Sequence, residues 1–245
     1  EKAQQTVNRI WVNVILRGIE AAATTAIWRA VIETSLTYGA EIWDNGDYKE
    51  IDAVQADLAR KVISTHKKNI PIAGLLADLG WRKTSYVMKK KRLIYAGHIN
   101  SPDAPPLLKS AAYWVVKEGD RYKDKKTTSS IPNWEARTNT LIKQLSLTQQ
   151  WKRLRDGKSN KKQWEIEVEK AIEEQEKKEL QQAFIKPNSK LRTLAKIKTT
   201  RGQEHYTTSL PRRDRRIIAE LRCGVASLEI ETGRWRKVPP DNRRC

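Results

Sequence analysis

Cysteine is nearly absent. Only Cys223 and Cys245 occur in 245 residues, too few for the disulfide framework of a small secreted domain. A reducing, intracellular compartment is therefore expected, with nucleus and cytoplasm equally open. Histidine is scarce too, and His66, His98 and His205 stand far apart. A lone histidine on a helix is more often a surface or capping residue than a catalyst. No run approaches the roughly 20 apolar residues of a membrane span, and no signal-peptide pattern opens the chain. No membrane partner is expected. The sequence also lacks Gly-x-x-x-x-Gly-Lys-Ser/Thr, His-Glu-x-x-His and Cys-x-x-Cys. Phosphate-loop, metalloprotease and zinc-finger chemistry lose their anchors with them. No catalytic residue and no metal ligand set can be named. Phenylalanine occurs once, whereas tryptophan occurs nine times, often on charged helices where it can anchor a thin apolar stripe.

Positive charge is what the chain has in excess. Lys and Arg number 48 against 29 Asp and Glu, a formal net charge of +19. Such an excess speaks about partners rather than fold, and favours a polyanion, nucleic acid before all others. Three stretches concentrate it. "MKKKR" supplies Lys89, Lys90, Lys91 and Arg92. "PRRDRR" supplies Arg212, Arg213, Arg215 and Arg216 around one Asp. "GRWRK" sets Trp235 between Arg234 and Arg236. Lys and Arg can neutralise phosphates without reading sequence, and an aromatic ring among cations can stack on an unpaired base. The plainer alternatives are a solvated helix face for "MKKKR" and a small-core anchor for Trp235. Elsewhere Asp and Glu alternate with Lys in helices, the ordinary pattern of a solvated face.

Periodicity predicts a mainly α fold. Ile27, Val31, Ser35 and Tyr38 form a stripe at spacings of three and four, closed by Gly39. Asp47 and Glu50 are spaced as a capping box before a helix with Ile51, Val54, Leu58 and Val62 on one face. A short helix is expected from Pro71 to Gly80, and a longer one from Thr84 until Pro102, Pro105 and Pro106 end the block. Polar, turn-rich "KEGDRYKDKKTTSSIP" reads as a linker. Beyond it a helix is expected from Asn133 to about Arg155, carrying Trp134, Leu141, Leu145, Trp151 and Leu154. Another runs from Lys161 to about Phe184, with Trp164, Val168, Ile172 and Leu180 at helical spacing. A last short helix spans Pro211 to Cys223, and Leu228 and Ile230 then alternate with glutamates as in a short hairpin or an extended arm. The expected architecture is a helical bundle over 1–116, a linker over 117–132, an exposed helical pair over 133–200 and a basic tail over 201–245.

"AIWRAVIETSLTYGAEIW", "IDAVQADLARKVIS", "PIAGLLADLGW" and "KRLIYAGHIN" follow one another between Ala26 and Asn100. In that order they resemble the segment after the catalytic palm in reverse transcriptases of non-LTR (LINE-type) retrotransposons. The tail "IIAELRCGVASLEIETGRWRKVPPDNRRC" resembles the region just before the C-terminal zinc knuckle of the same polyproteins. The resemblance implies a thumb-like bundle that grips a template–primer duplex by its backbone, then a basic region that holds RNA or target DNA. It implies Tyr38, Ile42 and Trp43 as core at a helix corner, and Cys245 as the first ligand of a knuckle that lies beyond the sequence. The family's Tyr/Phe-x-Asp-Asp motif, which holds two magnesium ions, does not occur, so magnesium is expected only in a palm outside this sequence. Both ends, Glu1 and the Cys245 of "NRRC", read as internal to a longer protein.

The function expected is that of a nucleic-acid-binding piece of an RNA-directed DNA polymerase, inactive alone and carrying no cofactor. Two rivals remain. One is a retroelement-derived scaffold subunit of a large, RNA-containing assembly, with Trp134, Trp151 and Trp164 packing against partners. The other is half of an enzyme whose palm sits on another chain.

Overall fold

Apolar stripes, proline starts and glycine stops delimit helices throughout the computed structural model, and the chain is mainly helical. The structure describes residues 21–43, 46, 48–110, 113–114, 134–187, 189–228, 232–233, 236–239 and 242, together with Gln5 and Asn8. The helices are α1 (Ala21–Ile27), continuing through a π-helical segment, Trp28–Ile32, into α2 (Glu33–Leu36); α3 (Ala40–Trp43); α4 (Lys49–Ile63); α5 (Ile72–Asp78); and α6 (Thr84–Asn100). Then come α7 (Trp134–Gln144), α8 (Thr148–Arg155), α9 (Lys161–Ile185), α10 (Arg192–Ile197), α11 (Tyr206–Ser209) and α12 (Arg212–Arg222). The one β-bridge outside named strands among the described residues joins Leu79 to Gln203. No helix among them is long and apolar enough to cross a membrane.

The chain divides into two compact units. The first comprises Glu1–Leu36, Lys49–Thr84 and Lys177–Cys245; the second comprises Thr37–Tyr48 and Ser85–Glu176. Contact, not chain order, draws these limits. The chain from Lys177 onward shares a unit with the first helices, and α7, α8 and α9 as far as Glu176 share one with α6.

In the first unit the core joins Trp28, Ile32, Leu58, Val62, Leu75, Trp81, Leu194 and Ala219. The Trp28 and Trp81 rings stack at 5.3 Å with planes 8° apart. That stack corrects the expected stripe. Val31 and Ser35 are exposed, while Trp28 and Ile32, one position on, are buried. The larger ring decides which of two neighbouring stripes turns inward, because burying an indole removes more apolar area than burying a valine. The α4 stripe lies as expected, with Leu58 and Val62 buried and Val54 packed against the core. Pro71 precedes α5 and Gly80 follows it, both as expected.

In the second unit Tyr86 and Leu93 of α6 meet Leu141, Ile142, Leu154, Trp164, Val168 and Ile172. Gly39 takes φ +67, the left-handed stop its place implied. Tyr38 and Ile42 beside it are not core: they are 82% and 65% exposed. The corner therefore turns Tyr38 and Ile42 outward, and the side chain of Trp43 lies outside the described residues. The helix expected from Asn133 to Arg155 is two helices. Ser146 breaks it with φ +57, which lets Leu147 fold inward while its N–H reaches Ile142 O at 2.9 Å. The capping box at Asp47 and the linker from Lys117 to Pro132 fall outside the described residues, as do Glu229 and Ile230 of the expected hairpin.

Candidate nucleic-acid interface

Four consecutive cations on a helix point four ways, because successive side chains turn by about 100°. In α6 Lys89 lies over the rings of Tyr48 and Tyr86, with Nζ 5.5 and 4.7 Å from their centroids. Lys90 pairs with Glu169 at 2.5 Å. Lys91 donates to both oxygens of Thr37, at 3.1 Å to the carbonyl and 2.9 Å to the hydroxyl. Arg92 is 3% exposed and donates to Thr138 Oγ1 at 3.0 Å and Trp134 O at 3.1 Å, with its guanidinium over the Trp134 ring. Arg92 is thus a packing residue of the second unit, and no phosphate reaches it in this conformation.

The same geometry sorts α12. Pro211 precedes the helix, and Arg215, Ala219 and Cys223 make its inward face. Arg215 is 6% exposed and donates to Thr207 O at 3.0 Å. Burial first, then the charge of Arg212, holds its guanidinium below the ordinary arginine value. Arg213 is exposed, and Arg212 and Arg216 are half-buried. These three can meet an anion outside the unit, whereas Arg215 supports the helix. Arg236 is exposed; Arg234 and Trp235 lie outside the described residues.

Among the described residues of the second unit, α6 and α7 build a pair of clefts. One, of about 360 Å³, is cationic: Lys89, Arg92 and Arg137 line it with Tyr48 and Gln144. The other, of about 680 Å³, is aromatic, with Tyr95, Tyr113, Trp134 and Trp151 in its walls beside Ile42 and Ile99. Asn139, Glu135, Lys109 and Arg155 supply polar groups to this larger cleft. The Arg92–Thr138–Trp134 network connects their linings: Arg92 belongs to the first cleft, Thr138 and Trp134 to the second. Ile42, expected as core, is one of its wall residues. No periodicity rule points to the aromatic cleft, since its rings come from four separate stretches of chain.

A cluster that sequence reading missed lies in the first unit. Asp78, at the end of α5, is fully buried. Arg222 grips it with two bonds, Nε to Oδ2 at 2.7 Å and an η-nitrogen to Oδ1 at 2.8 Å. Tyr206 donates its hydroxyl to Oδ2 at 2.7 Å. Lys198 lies 3.8 Å from Oδ1 and bridges to Glu204, whose N–H donates to Asp78 O at 2.8 Å. Burial alone would lower the Arg222 guanidinium, but the hydrogen bonds and charge of Asp78 outweigh it and raise it above its ordinary value. Burial, then the nearby carboxylate, pushes the Tyr206 phenol and the Cys223 thiol far up. Every polar group faces another, so the cluster clamps the tail onto α5. Its only signal in the sequence was an aspartate at the end of an apolar run.

The histidines do not converge on one unit. His98, in the second, meets Glu165 at 3.0 Å, while His66 and His205 belong to the first. Among the described residues no group of three or more His, Cys, Asp and Glu could hold a metal ion, and Cys245 lies outside them. Comparison of the chain with family models, curated proteins and solved structures finds no match.

Proposed function

We propose that this chain is a nucleic-acid-binding part of a retroelement reverse transcriptase, lying outside the catalytic palm, which grips RNA or a template–primer duplex through backbone phosphates. The observation that carries the reading is the charge excess of +19, a scale at which counterion release alone gives appreciable affinity for a polyanion. The described cations that face outward support it: Arg212, Arg213 and Arg216 on α12, Arg236 beyond it, and Lys89 with Arg137 at the cationic cleft. The four ordered sequence segments that resemble the thumb region of non-LTR elements suggest its family. Chemistry, on this reading, belongs to a palm and its magnesium ions on other residues, and RNA is not separated from DNA by contacts to phosphate.

The test is fluorescence anisotropy of labelled RNA hairpin, single-stranded RNA and duplex DNA across a salt series. Affinity should fall steeply with salt for all three. The triple substitution Arg212→Ala, Arg213→Ala, Arg216→Ala should make the log–log salt slope shallower by about one for each phosphate that is no longer neutralised. Arg215 is left in place because it supports the helix. Affinity indifferent to salt would sink the reading. A stoichiometric protein complex that survives nuclease would favour the scaffold subunit instead.

A further inference from the structure

The aromatic cleft of the second unit is large and oddly furnished for a packing defect. Its volume, about 680 Å³, falls within the range of small-ligand sites. Rings from α6, from residue 113, from α7 and from α8 line it, with Tyr95 and Trp134 set edge to face at 87° and Trp151 tilted against Trp164. Tyr113 is 68% exposed, more than a core ring would be. Trp134 has its indole N–H satisfied by Glu41 O at 2.7 Å, so that ring contributes a face rather than a donor. Asn100 and Thr138 are polar residues of the lining, and four more matter for a ligand. Asn139 carries a carboxamide, which can donate and accept side by side, and Glu135 can accept from an amino group. Lys109 and Arg155 carry positive charge, and both are exposed.

An apolar peptide would cover the Asn139 amide without pairing it and would make no use of the two exposed cations, of which Lys109 also donates to Pro102 O. A planar heterocycle with a polar edge and an attached phosphate would use each group: rings for its faces, Asn139 and Glu135 for its edge, Arg155 and Lys109 for its anion. We propose that the cleft takes one unpaired base of a single-stranded nucleic acid, stacked among Tyr95, Tyr113, Trp134 and Trp151, with its phosphate at Arg155 and Lys109. The inference rests on the nucleic-acid reading above and adds strand preference to it. A second, cationic cleft, lined by Lys89 and Arg137, opens on the same two helices.

The experiment uses the full chain and two probes: a fluorescein-labelled oligonucleotide, read by anisotropy, and the same strand with 2-aminopurine at one internal position, whose emission reports stacking. The 2-aminopurine signal should change saturably with the single strand. Tyr113→Ala and Arg155→Ala, both at exposed positions, should weaken single-strand binding by about fivefold or more while leaving duplex binding unchanged. Trp114→Ala, exposed but outside the cleft, should change neither. Salt-sensitive binding with no 2-aminopurine response, and no effect of Tyr113→Ala, overturns the base pocket and leaves the phosphate-gripping reading standing. Absence of all oligonucleotide binding overturns both. An environment-sensitive apolar dye that occupies the cleft, is lost in Tyr113→Ala and is not displaced by oligonucleotide overturns the pocket in favour of an apolar ligand.

Discussion

In the first unit a buried carboxylate, Asp78, is met by Arg222, Tyr206 and Lys198, residues more than a hundred positions away in the chain. In the second unit a buried guanidinium, Arg92, is met by neutral oxygens of Thr138 and Trp134 and by an indole face. The difference follows from the ions. A carboxylate is strongly hydrated and needs several donors when taken from water. Guanidinium is planar, more weakly hydrated and content against a ring. The first arrangement ties distant segments together and fails if one member is removed. The second fills a gap between two helices.

Substitution at the two ions gives the largest expected effect and the most direct way to break this contrast. Asp78→Ala would leave half-buried Arg222 and buried Lys198 with Glu204 as their shared carboxylate, a loss of about 3–5 kcal/mol for a broken buried pair. Arg92→Met keeps the volume, and Thr138 Oγ1 still donates to Trp134 O, so its cost should stay below about 2 kcal/mol. Urea unfolding would rank the two. Hydrogen exchange would locate the destabilisation, in α5 amides for Asp78→Ala and α7 amides for Arg92→Met. Equal costs would show that both ions are clamps, and the contrast would be gone.

Packing in the second unit offers the next test, because there the close approach is steric rather than ionic. Gly97 of α6 faces Trp164 so closely that an added Cβ would sit 2.1 Å from Cδ1 of its ring and 2.3 Å from Nε1. The ring cannot retreat freely: it is buried, and its Nε1 donates to Leu93 O at 2.8 Å. Gly97→Ala should cost about 1–3 kcal/mol in a urea melt by overpacking. Adding Trp164→Leu should recover part of that loss if the clash is the cause. Full stability in the single variant would mean that α6 and α9 can separate without penalty.

These two sites also show what the sequence could and could not disclose. Helix limits were legible wherever a local stop exists: Gly39, Pro71 and Gly80 each act on the residues beside them. The choice between neighbouring stripes at Val31 and Trp28 was not, because it depends on Trp81, more than fifty residues away. The break at Ser146 escaped for a similar reason, since no glycine or proline marks it and burial of Leu147 drives it. Charge runs were the least transparent. "PRRDRR" reads as one patch, yet its third arginine points inward and the others do not. A linear run records composition, while a helix distributes it around an axis. The aromatic cleft and the Asp78 cluster are products of long-range contact and leave almost no local trace.

The smallest effect is expected at Glu204, the half-exposed rim of the Asp78 cluster. The hydrogen bond from Lys198 is the main cause, opposed by burial and aided by the charges of Lys198 and Arg222, and together they hold its carboxyl below its ordinary 4.5. A depressed carboxylate contributes stability that is fully present above its unfolded value and is lost as pH falls through the folded one. The first unit should therefore lose this contribution only below about pH 4.5, and Glu204→Gln should flatten that part of its acid-unfolding curve. Because the side chain is partly solvated and screened, the difference at neutral pH should stay under about 1 kcal/mol. In the second unit Asp103 is held low by the Ser101 hydroxyl and then by Lys161, but from a fully exposed position. Exchange-resolved acid titration separates the two units. Loss of protection between pH 3 and 4.5, as an order-of-magnitude window, should begin in α5 and α12 rather than in α7. If α7 opens first in acid, the buried carboxylate is better insulated than its rim, and the clamp in the first unit does not depend on Glu204.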